Sequence, residues 1–177
     1  PLTKTRTSGI LMPTWNQSSL KGYSLQNGGY YMAISDYFDL ALTGDIYTNG
    51  SWGIRARSNY ALKYKFRGSF SFNYDNNINS MKGFDDYSKS TQYNIQWSHS
   101  QDAAANPNAT LSASVNMGSS KYFKESLNEF STNSFLNNTL NSSISYSKKF
   151  VGTPFNLILS ATHSQNTNTK DINMTLP

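Results

Sequence analysis

The chain has 177 residues, enough for one domain, with 37% hydrophobic and only 14% charged residues. Aromatics reach 14%, led by Tyr (12) and Phe (10), which excludes a disordered chain, and a soluble globular domain would carry more charge. No cysteine is present, so disulfide frameworks and thiolate metal sites are excluded, and the net charge of +5 is modest. From the start of the chain, residues 9–16 and 25–35 read as strands, the first interrupted by Pro13 and the second carrying Gly28-Gly29. Residues 38–48 place Leu40, Leu42 and Ile46 on one face. Alternation is cleanest over residues 52–64, where Ile54, Ala56, Tyr60, Leu62 and Tyr64 oppose Arg55, Arg57, Asn59 and Lys63. Residues 68–76 set Phe70, Phe72 and Tyr74 against Ser69, Ser71, Asn73 and Asp75. Residues 90–100, 109–118, 138–149 and 155–165 continue the pattern.

These runs are about 10 residues long, the length of a tilted membrane-crossing strand. No apolar run approaches the ~20 residues of a membrane helix. The polar face is small and mostly uncharged, which suits a wet lumen. The expected fold is therefore all-β: an antiparallel up-and-down transmembrane β-barrel segment of about nine or ten strands, the N-terminal part of a larger barrel. Connections at residues 36–37, 65–67 and 150–154 are short, and those at 17–24, 76–89 and 119–137 are long. That alternation assigns the two rims to opposite sides of a membrane. Two joints depart from it, residues 49–51 being short and 101–108 extended.

A loop at residues 49–51 puts Thr48 opposite Trp52, Ile46 opposite Ile54, Leu40 opposite Tyr60 and Asp45 opposite Arg55. A loop at 65–67 puts Arg57 opposite Asp75. Asp45, Arg55, Arg57, Asn59, Lys63 and Asp75 thus form the expected lumen-facing polar set. Proline cannot donate to a ladder, so Pro13, with Leu11 and Trp15 around it and Gly28 and Gly29 on the next strand, marks a weak seam.

Enzyme chemistry finds little footing. His99 and His163 each precede a Ser-Gln pair, but no acid is placed beside either, and a triad is recognised by geometry. Asp36 reads as a turn residue, and Asp39 and Asp45 as partners for luminal arginines. No nucleotide fingerprint, phosphate loop or nucleophile elbow occurs. No catalytic residue, metal ligand or cofactor is expected, and no nucleic-acid partner.

The stretch KTRTSGILMPTW, followed by GGYYMAISDYFDLALTGDIYTNGSWGIRARSNYALKYKFRGSFSFNY, resembles the opening strands of the LptD (OstA-type lipopolysaccharide-assembly) barrel family. The resemblance is best over residues 5–75. It implies a bacterial outer-membrane translocon, not an enzyme, that inserts lipopolysaccharide into the outer leaflet through a seam beside strand one. It also implies an LptE-like lipoprotein plug, a periplasmic lipopolysaccharide bridge, barrel-assembly machinery during folding, and membrane lipids as partners. Pro13 matches the family's first-strand proline. A second gate proline has no counterpart, Ala33 lying near its place. The family's jelly-roll domain and last strands are not in this stretch. The rival reading is a segment of another outer-membrane barrel, such as a porin or nutrient transporter.

Overall fold

The computed structural model describes residues 6–19, 21–80, 83, 87–119, 121 and 139–176. Among the described residues eleven strands form one antiparallel sheet: β1 (Gly9–Leu11), β2 (Thr14–Ser18), β3 (Gly22–Ser35), β4 (Phe38–Tyr47), β5 (Trp52–Leu62), β6 (Phe66–Asn79), β7 (Ser88–Gln101), β8 (Ala109–Gly118), β9 (Thr139–Lys149), β10 (Asn156–Asn166) and β11 (Ile172–Thr175). Each strand from β3 onward pairs with the next, and β1 and β2 both pair with β3. The sheet is open, with β1 and β2 at one edge and β11 at the other. This is the up-and-down order expected from the alternation. β11 was not foreseen, because residues 172–175 are too few to show a period.

The two faces are inverted relative to a soluble sheet. Asp45, Arg55, Asn73, Asp75, Gln92 and Asn94 are buried, whereas Ile46, Ile54, Phe70, Tyr93 and Leu159 lie open. Large open apolar area of this extent needs an apolar environment, and in a membrane barrel that environment is lipid. Aromatics mark both ends of the open face. Toward one rim, Trp15 stacks on Tyr23 with centroids 5.8 Å apart, and Trp52 packs on Tyr74 at 5.6 Å. Toward the other, Trp97 Nε1 donates to the Tyr60 hydroxyl at 2.8 Å, and that hydroxyl bonds His99 Nδ1 at 2.9 Å. The Tyr60 ring occupies the place a side chain at Gly68 would take, covering bare backbone with an aromatic face. Trp52 and Tyr60 lie on one face of β5. At roughly 3.3 Å per residue and a tilt near 40°, they are roughly 20 Å apart along the membrane normal, close to the apolar band of an outer-membrane barrel.

The structure keeps the expected faces and changes the expected register. Asp45 opposes Gly53 and Ile46 opposes Trp52, while Arg57 opposes Ser71 instead of Asp75. Thr48 and Leu40 do not meet Trp52 and Tyr60; Leu40 meets Ser58. The first hairpin loop is residues 48–50, one residue earlier than expected. Gly50 N–H donates to Tyr47 O at 3.0 Å and Tyr47 N–H to Ser51 O at 3.0 Å. Gly50 has φ +88°, so it fills the left-handed last position of a three-residue loop, which glycine alone takes without cost. The second loop is residues 63–65, not 65–67, with Leu62 opposite Phe66. Both changes move the pairing by an even number of residues, so no side chain crosses to the other face. The long connection expected at 17–24 is short, since β2 runs to Ser18 and β3 begins at Gly22. Most of the connection 119–137 lies outside the described residues.

Candidate functional site

The first strand is broken where its proline falls. Leu11 pairs with Gly29, and Thr14 with Gln26, in one continuous register. Between them Met12 and Pro13 carry no ladder pairing, which divides the strand into β1 and β2. Pro13 has no N–H to give. The facing segment is irregular too. Register between β3 and β4 shifts between Leu25 and Gly28, the mark of a β-bulge, and Asn27 inside it has φ +60°. Asparagine tolerates this left-handed conformation better than most residues.

A buried ion pair holds the bulge. Asn27 N–H donates to Asp45 Oδ1 at 2.7 Å instead of entering the ladder. The other oxygen of Asp45 pairs with the Arg55 guanidinium, and both side chains are 2% exposed. Asp45 and Asp75 both lie opposite Gly53, so Arg55, two residues further along β5, sits diagonal to each acid. Gln26 Nε2 adds a bond to the Tyr47 hydroxyl at 3.0 Å. Thus Pro13 cannot donate at the break, and β3 directs its own donor inward.

The two glycines serve different purposes. A Cβ on Gly28 would lie 3.0 Å from Pro13 Cβ, so Gly28 makes room for the proline ring. A Cβ on Gly29 would collide with Leu42 O and lie 2.8 Å from Thr43 Cα, so Gly29 allows close approach of β3 and β4. Leu11 is half-buried, whereas Ile10, Met12 and Trp15 project into the open. Beyond the break every residue of β2 is exposed.

The polar set expected in the lumen separates into three places. Asp45, Arg55 and Asp75 form the buried group behind the break. Arg57 and Asn59 line a cleft of about 490 Å³ with Ser69, Ser71, Gln96 and Ser98. Lys63 stands in the turn between β5 and β6. Asp39 forms a centre that the alternation did not single out as one. Its carboxylate accepts from Arg6 at 2.9 Å, the Tyr31 hydroxyl at 3.3 Å, and Asn59 N–H and Nδ2 at 2.8 and 3.2 Å. It ties residue 6, before β1, to the wall of β4 and β5. Asn27, also missed as a site, had a signal: an Asn-Gly pair in mid-strand is a turn signature out of place.

His99 belongs to the aromatic cluster described above, and His163 lies 3.5 Å from Ser142 Oγ. Among the described residues neither histidine is paired with a carboxylate, and no three metal-ligating side chains gather.

Among curated proteins, none matches the chain. A family model described as LptD protein matches residues 1–177.

Proposed function

This chain belongs to the LptD protein family, which acts in lipopolysaccharide transport and assembly, and from that premise we propose that its first strand is one lip of a lateral exit for lipopolysaccharide. The lapse of the ladder at Met12 and Pro13, with the Asn27 donor withdrawn to Asp45, is the observation that carries the reading. An edge strand missing inter-strand bonds at mid-height separates from a neighbour at lower cost than a fully bonded one. Arg57, Asn59 and the neighbouring Ser and Gln residues offer hydrogen bonds and positive charge to anionic sugars on the inner face, while the acyl chains remain on the open apolar face. The chain is then a wall of an outer-membrane translocon and no group on it performs covalent chemistry. An LptE-like lipoprotein inside the barrel, a periplasmic bridge delivering lipopolysaccharide, and the barrel-assembly machinery are the partners this role requires.

The test replaces Pro13 with Val in the full-length protein and follows new lipopolysaccharide reaching the cell surface. The introduced valine has an N–H to donate to the ladder, so surface appearance should slow several-fold while the protein remains assembled. An assembled Pro13→Val protein that delivers lipopolysaccharide at the parental rate would remove the break from the mechanism.

A further inference from the structure

Two turns and a strand end at one rim join edge to edge through the backbone. Asp102 N–H donates to Lys65 O at 2.8 Å, and Lys149 N–H donates to Asn108 O at 2.7 Å. The turns 63–65 and 102–108 and the end of β9 therefore make one continuous border. Residues 36–37 lie at the same rim, while residues 119–138 connect strands at the other. The other rim carries short turns but also the long connection between Gly118 and Thr139, and the rim without long connections faces the periplasm in outer-membrane barrels, so this border meets the inner, phospholipid leaflet.

The border combines cations with exposed rings. Lys63 Nζ sits 4.8 Å from the centroid of Tyr64, and Lys148 Nζ sits 5.1 Å from that of Phe150. Lys148 follows Ile144 and Tyr146 on the open face, so its stem lies along apolar surface with the charge at the edge. Tyr64 is 70% exposed, Val151 73% and Phe155 69%, and Phe66 is open beside them. Asp36 and Asp102 are the acids in these turns among the described residues. Tyr64 holds φ +62°, a conformation in which a bulky side chain is strained and Gly or Asn would be cheaper. Such strain marks a position where the side chain is needed for something other than the turn.

We infer that this rim is a docking surface for anionic phospholipid, with Lys63, Lys65 and Lys148 taking headgroup phosphates and Tyr64, Phe150 and Phe155 set among the glycerol and upper acyl carbons. Charge complementarity selects the occupant: a zwitterionic headgroup brings its own ammonium, whereas phosphatidylglycerol leaves its phosphate to the protein. Arg67 faces inward with Ser69 and Ser71 and lies outside the docking set. The inference rests on the outer-membrane reading of the chain.

The test uses the full-length protein with its partners in nanodiscs of phosphatidylethanolamine containing a minor share of phosphatidylglycerol. Lipids retained on release are counted by native mass spectrometry. Phosphatidylglycerol should be enriched over its bulk share. The enrichment should fall roughly five-fold for each lysine replaced by Gln, survive Lys→Arg at the same positions, and weaken with salt. Tyr64→Gly should relieve the turn yet reduce retention. Equal retention of both lipids by the parent protein overturns the inference without any variant. Enrichment of added lipopolysaccharide, in place of phosphatidylglycerol, at the same lysines overturns it as well. A protein that retains no lipid of either kind contradicts the membrane reading itself.

Discussion

Replacing Asp45 with Ala removes two things at once: the partner of a buried Arg55 and the acceptor for the Asn27 N–H. Both members of the ion pair are 2% exposed, so water does not reach in to replace the lost carboxylate. Breaking a buried pair from one side costs about 3–5 kcal/mol. The orphaned backbone donor adds about 1–3 kcal/mol, with overlap between the two terms. We therefore expect Asp45→Ala to destabilise the barrel by about 4 kcal/mol, roughly three decades in the unfolding equilibrium. Asp45→Asn keeps an acceptor for Asn27 and loses the charge, so it should cost about 1–2 kcal/mol less. The double variant Asp45→Leu with Arg55→Met removes both members of the pair but takes the cation away from the buried Asp75, so it should recover only part of the loss. Urea unfolding of the assembled protein from lipid vesicles, read by tryptophan fluorescence, measures each difference. The reasoning fails if Asp45→Ala stays within about 1 kcal/mol of the parent, or if Asp45→Asn is as unstable as Asp45→Ala.

Gly29→Ala drives a methyl group into the Leu42 carbonyl; a loss of about 3 kcal/mol or failed assembly is expected, visible as loss of the heat-modifiable band on gels. Gly28→Ala meets the Pro13 Cβ at 3.0 Å, so it should be milder, and Pro13→Gly, which removes that Cβ, should relieve it, giving a non-additive double-mutant cycle in the same unfolding assay. Tyr60→Phe deletes the acceptor for Trp97 Nε1 and the bond to His99; a loss of about 1–2 kcal/mol and a changed Trp97 emission are expected. Asp39→Asn should free the segment before β1, seen as faster amide exchange at residues 6–8, with little change in β6 and β7.

The strand order was legible because the chain alternates almost without interruption, and a period of two also fixes the face of every residue. Register was not legible, because it depends on which loop residue takes a positive φ. Gly50 is visible in the sequence, but its place as the last loop residue, and not the middle one, comes from hydrogen bonds at Tyr47. Tyr64 at φ +62° gave no signal, since nothing about a tyrosine announces a left-handed turn. At the candidate site Pro13 was legible, as its missing donor is a property of the residue type. The bulge at Asn27 and its tether to Asp45 were not, because two residues eighteen apart become partners only once both strands are paired. The ion pair of Asp45 with Arg55 survived a wrong register because a shift of two leaves the side chains diagonal on the same face.

Whether lipopolysaccharide passes beside the broken strand is best tested by photo-crosslinking in living cells. A photoreactive residue goes at position 11 or 14, flanking the break, and at position 54, on the open face away from it. The account predicts lipopolysaccharide adducts at 11 and 14 and none above background at 54. No adduct at 11 or 14 in cells that display lipopolysaccharide normally, or equal adducts at all three positions, would contradict it.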